Sequence, residues 1–193
     1  MSEKNPNPQG KGQVPVLAAL TEHQQTAAAL PPKHIEQVSV ELFTSLFVLE
    51  SDFNFKPVPG KDYWLYQKEG RFWLSPVPPQ EWHPTVYGRY IGECRLQEDM
   101  SWTLLLADEV ANDTAFMRYL EDKRERFERD LEEADSLDDA LPVHESRFPF
   151  YQRAFAYALA HSLGTSMEHA GIRGLTYNEA LGLLTHQPES DDS

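Results

Sequence analysis

Nine aromatic residues fall between positions 63 and 102, namely Tyr63, Trp64, Tyr66, Phe72, Trp73, Trp82, Tyr87, Tyr90 and Trp102, and they include all four tryptophans of the chain. Around them, from residue 62 to residue 106, aromatic and β-branched residues are broken by Pro and Gly, which is the pattern of short antiparallel strands. Residues 63–67 and 71–75, separated by Lys68-Glu69-Gly70, predict a hairpin, because Gly supplies the left-handed backbone that a short loop needs. Residues 89–96 and 101–106, joined by Gln97-Glu98-Asp99-Met100, predict a second one with a loop length that suits a type I turn. Four such strands make a small antiparallel meander. Alternation puts Tyr63, Leu65 and Gln67 on one face and Trp64 and Tyr66 on the other. One set then packs on helices. The other faces solvent or is covered in its turn, core burial being the ordinary fate of such rings.

Elsewhere the period is helical. Ile35, Val38, Leu42, Leu46 and Leu49 recur at spacings of three and four, with Phe43 and Phe47 widening the stripe. Asp108 reads as the cap of a helix running to about Glu133, with Val110, Phe116, Leu120, Phe127 and Leu131 on one side. A short helix begins at Ser136 and must stop near Pro142. The stretch 150–170 ends at Gly171, a left-handed C-cap, and Thr176-Tyr177-Asn178-Glu179 has the capping-box spacing. The fold class is therefore α+β: a small antiparallel four-stranded meander packed against several helices, with a helical C-terminal half. Residues 1–32 read as a flexible arm in which only Val14, Val16, Leu17, Leu20 and Leu30 have apolar surface to bury, and the stretch 14–20 is the part able to dock locally. Residues 33–187 read as one domain, and 188–193 as a disordered polar tail.

The formal net charge of −14 repels phosphate backbones and anionic lipid, and no basic patch offsets it, so neither nucleic acid nor a membrane surface is an expected partner. Thirteen acidic against five basic residues between positions 108 and 139 describe a solvated helix face. Apolar runs fall far short of the ~20 residues that cross a bilayer. The N-terminus lacks a basic region followed by an apolar one, and the lone Cys94 cannot form an internal disulfide. The expectation is a soluble cytoplasmic protein without a cofactor, with a protein or peptide partner or self-association through the apolar stripe of the 108–133 helix.

Catalytic patterns are scarce. There is no glycine-rich phosphate loop, dinucleotide fingerprint, Gly-x-Ser-x-Gly or Cys-x-x-Cys. His161 and His169 lie eight residues apart, whereas helical metal ligands sit three or four apart. Cys94 alternates with Tyr90, Gly92 and Leu96 on one strand face, where it serves as a small apolar residue rather than a nucleophile activated by His83. Asp99 and Ser101 suit side-chain bonding at a turn. Glu81 and Asp99 would make an acid/base pair, with His83 assisting, only if the fold set them ~5 to 9 Å apart.

One resemblance bears on these residues. Tyr63-x-Leu65-Tyr66, Gly70, Ser75, Pro79-Gln80-Glu81-Trp82, Ile91-Gly92, Leu96 and Asp99-Met100-Ser101-Trp102-Thr103 resemble the family numbered two-four-five-two among domains of unknown function, over about residues 57–106. The resemblance implies a location rather than a reaction, and brings no activity or cofactor. The matching positions Tyr66, Glu81, Trp82, Asp99, Ser101 and Trp102 are the candidate ligand- or partner-binding residues. Each also has a purely structural role open to it: Trp82 and Trp102 as core anchors, and Glu81, Asp99 and Ser101 as turn caps. The favoured function is a non-catalytic binding or adaptor protein that uses an aromatic surface on the small sheet. The alternative is a small-molecule enzyme with a carboxylate acid/base site between sheet and helices.

Overall fold

A computed structural model describes residues 30–143 and 146–185, so the expectations for the arm up to residue 29 and for the tail 188–193 lie outside the described residues. Strand β1 (Asp62–Lys68) turns into β2 (Arg71–Ser75) through Glu69 and Gly70 alone, since Lys68 stands opposite Arg71. Both loop residues take positive φ, 53° and 77°. That is the primed-turn geometry whose twist matches the flanking strands. The predicted hairpin is present.

The chain then crosses through a 3-10 turn (Pro79–Glu81) and the four-residue helix α1 (Pro84–Tyr87) into β3 (Arg89–Leu96), which pairs with β1 on one side and β4 (Trp102–Leu106) on the other. In that second hairpin Met100 N–H donates to Gln97 O, and Met100 takes φ 68°, the left-handed residue that commonly follows a type I turn. All pairs are antiparallel and the order is β2-β1-β3-β4, so β3 joins the sheet at β1 and the meander is not a simple one. The edges explain this order. Asp52 already occupies the outer edge of β2, donating its N–H to Phe72 O and accepting from Leu74 N–H. Gly88, at φ 82°, lets the chain enter β3 tightly against β1, for a Cβ there would stand 2.4 Å from Gln67 O.

A β-bulge corrects one expectation. Leu65 pairs with Gly92 and Tyr66 with Tyr90, which leaves Ile91 as the extra residue. The side-chain period slips there. Tyr90 consequently faces away from Gly92, Cys94 and Leu96, and Ile91 is buried in the core instead.

Helix α2 (Ile35–Leu49) precedes the sheet and α5 (Phe150–His169) follows it; their stripes meet the inner sheet face in one core that joins Ile35, Val38 and Leu42 to Leu65, Ile91, Leu96 and Trp102, and to Leu159, Leu163 and Met167. Between β4 and α5 the expected single helix is two, α3 (Asp108–Ala111) and α4 (Thr114–Glu133). Asp113, not Asp108, caps the long one, its Oδ1 accepting from the N–H groups of Ala115 and Phe116. The 3-10 turn Leu137–Ala140 stands where the short helix was expected. Gly171 ends α5 at φ 70°, and Thr176 and Glu179 exchange the two bonds of a capping box at the start of α6 (Tyr177–Thr185).

Candidate functional site

Strand register sorts the aromatic residues by face. Tyr63, Leu65, Leu74, Cys94, Leu96 and Trp102 point inward to the helices. On the outer face one row runs Ser75, Trp64, Glu93, Leu105 and the next runs Trp73, Tyr66, Tyr90. Residues 76–88 lie over part of this second face. Tyr66 is only 1% exposed beneath them, its ring 4.3 Å from that of Tyr87 and its hydroxyl donating to Val77 O at 2.8 Å. Lys68 Nζ donates to the carbonyls of Thr85 and Val86, and the Tyr87 hydroxyl to those of Pro79 and Trp82, so the crossover is pinned at both ends. Among the described residues nothing else covers this face: Trp73 is 43% exposed, Leu105 74%, and Trp64 and Tyr90 are half-buried.

The six residues singled out from the sequence fall into three places. Tyr66, Glu81 and Trp82 belong to the crossover cluster. Trp82 packs edge-on against Tyr87 at 5.2 Å, with its buried Nε1 lacking a hydrogen-bond partner, while Glu81 is exposed. Trp102 is a core anchor, 1% exposed and set edge-on to Tyr63 at 5.7 Å. Its backbone N–H donates to Ser45 Oγ of α2.

Asp99 and Ser101 form a polar clamp that sequence reasoning missed in part. Asp99 Oδ1 accepts from both the backbone N–H and the hydroxyl of Ser101, and its Oδ2 pairs with Lys33 Nζ, which also pairs with Glu41. Lys33 is 3% exposed. Burial pushes the Asp99 carboxyl upward, but the bonds from Lys33 and Ser101 outweigh it and hold the group below its ordinary range. Burial likewise opposes the charge on Lys33, and Asp99 and Glu41 override it and raise the ammonium above its usual value. The arrangement satisfies itself: the Ser101 hydroxyl is spent on a carboxylate, and the lysine stays protonated. It fastens the start of the described chain to α2 and to the β3–β4 turn.

Other sequence candidates stay apart. Glu81 belongs to the crossover before β3 and Asp99 to the turn after it, where its carboxylate is engaged by Lys33 and Ser101. His83 Nδ1 bonds Thr85 in the crossover. Cys94 is buried, and burial pushes its thiol well up, the opposite of activation. His161 and His169 are exposed, the latter bonding Leu30 O. Among the described residues no three His, Cys, Asp or Glu side chains come together in a metal-binding group, and no helix is long and apolar enough to cross a membrane. A groove of about 240 Å³ runs between α2 and α4 past Val40, Phe43, Met117, Leu120 and Phe127, away from the aromatic face.

Fold and surface thus define an α+β protein with one helix-covered and one largely open, aromatic sheet face. Residues 33–122 match the model of a family described as Protein of unknown function (DUF2452), which upholds the resemblance read from residues 57–106 and extends it from Lys33 into α4. Lys33, Glu41, Asp99 and Ser101 all lie within that span, as does every outer-face residue named above. No solved structure matches the chain.

Proposed function

We propose that the chain is a non-catalytic binding or adaptor protein that holds a peptide or a partner chain on the outer face of its sheet. The observation behind the reading is Trp73, 43% exposed on the β2 edge of an outer face it shares with Trp64, Tyr90 and Leu105. Rigid rings on a backbone ladder offer large contact area at little cost in side-chain entropy, which is why tryptophan and tyrosine dominate binding hot spots. Of the six residues read from the sequence, Tyr66 and Trp82 support this platform through the crossover and Glu81 stands at its rim. Asp99, Ser101 and Trp102 hold the fold that presents it.

The experiment is selection from a displayed random peptide library on the full chain, with the selected peptides then measured against Trp73→Ala. A loss of about tenfold or more in affinity is expected for removing an exposed aromatic anchor. Unchanged affinity for Trp73→Ala would place binding elsewhere and overturn the reading.

A further inference from the structure

The groove between α2 and α4 is a layer left unfinished. Phe43 of one helix and Phe127 of the other meet at 5.6 Å between ring centroids and join its walls, while Val40, 54% exposed, and Met117, 37%, stand open beside Leu120. Arg124 at the rim already pairs with Glu128, so the groove selects by apolar fit rather than by charge. A segment that suits it lies in the same chain. Apart from Met1, the apolar side chains larger than Ala or Pro before residue 30 are Val14, Val16, Leu17 and Leu20, all within seven residues. Pro15 suits the first position of a helix, and Leu20 falls four residues after Val16 and three after Leu17, the spacing of anchors that lay a helix into a groove. The tether behind them is short and its root is fixed. Leu30 O bonds His169 Nδ1 and the buried Lys33 pairs with Asp99 and Glu41, so the chain leaves beside the start of α2. The ten residues from Leu20 to Leu30 reach up to roughly 33 Å, whereas Phe43 lies eight residues, or about 12 Å of helix, beyond Ile35. That reach suffices around either flank of α2.

We infer that residues 14–20 of this chain dock in the α2–α4 groove, with Leu17 and Leu20 entering beside Val40, Phe43 and Met117. A tether of that length gives the segment an effective concentration on the order of millimolar, so it outcompetes a free partner of equal fit. A second copy of the chain is disfavoured, because both copies carry the net charge of −14. The groove lies away from the outer face of the sheet, so this inference stands or falls apart from the binding reading above.

The test uses the full chain with Thr21→Cys carrying a nitroxide, Cys94 being buried in the core, and reads the methyl signals of Val40, Met117 and Leu120 by NMR. Expected is broadening of all three by the nitroxide, and their recovery in a chain that also carries Leu17→Asp and Leu20→Asp. A labelled peptide of residues 13–23 should then bind the full chain bearing those two aspartates at least about tenfold tighter than wild type, whose own segment fills the groove. Val40→Asp in that chain, at an exposed position, should weaken the peptide by a similar factor. Groove signals that keep their intensity, or broadening confined to another surface, would overturn the inference. So would a peptide that binds both chains equally. Broadening that persists when the nitroxide and the observed methyls are on separate chains would give the groove to a second copy, and would overturn it equally.

Discussion

On the inner face of the sheet Trp102 is 1% exposed and set against Tyr63, whereas on the outer face Trp73 keeps 43% of its surface beside Tyr66 and Tyr90. Both tryptophans sit on edge strands of the same four-stranded sheet. Residue type does not separate them. What does is the side on which the apolar stripes of α2 and α5 meet the strands, because that side must exclude water completely while, among the described residues, the other receives the 76–88 crossover. The contrast teaches that an aromatic residue on a small sheet acquires its role from strand parity and from what lies above it.

Substitutions can break that contrast, beginning with the largest expected effect. Trp102→Ala opens a cavity in the closed layer and should cost about 3–5 kcal/mol in urea unfolding. Lys33→Met removes the cation between Asp99 and Glu41 and should cost about 2 kcal/mol near neutral pH, less than a fully buried pair because both carboxylates keep some solvent contact. Its pH dependence has a definite sign. The Asp99 carboxyl is held below its ordinary value, so the clamp's contribution is complete above about pH 5 and fades as pH falls through the ordinary and then the lowered value. Lys33 is raised, so the contribution is lost at the alkaline end only as pH climbs past the usual lysine range. The gap between wild type and Lys33→Met should therefore be level from pH 6 to 8, on the order of those ordinary values, and close in acid; a gap that widens in acid would contradict the clamp. Tyr66→Phe deletes only the bond to Val77 O and should cost about 1 kcal/mol. That loss should appear as faster exchange in the crossover rather than in the core.

Much of the fold was legible because it rests on local chemistry. Gly70 announced the first hairpin, the spacing of Ile35, Val38 and Leu42 announced α2, and Thr176 with Glu179 announced α6. The break before α4 was not, since Asp108 and Asp113 are both good caps in sequence and only the closed bonds to Ala115 and Phe116 choose between them. Nor was the bulge at Ile91, which turns Tyr90 to the other face, because a strict period of two cannot register an added residue. The candidate site was half visible. Trp73 and Trp64 stood in the aromatic run, but nothing near Lys33 signals a partner 66 residues away at Asp99. Non-local ion pairs leave no spacing to read.

The most direct test of an open aromatic face is acrylamide quenching of tryptophan emission in Trp73→Phe and Trp102→Phe beside the wild type. Trp73→Phe should remove a red-shifted, readily quenched component with the fold intact, and Trp102→Phe a blue-shifted, protected one with a loss of stability. If the emission lost with Trp73 proves as blue-shifted and as protected as that lost with Trp102, both faces are core and the proposed binding surface does not exist.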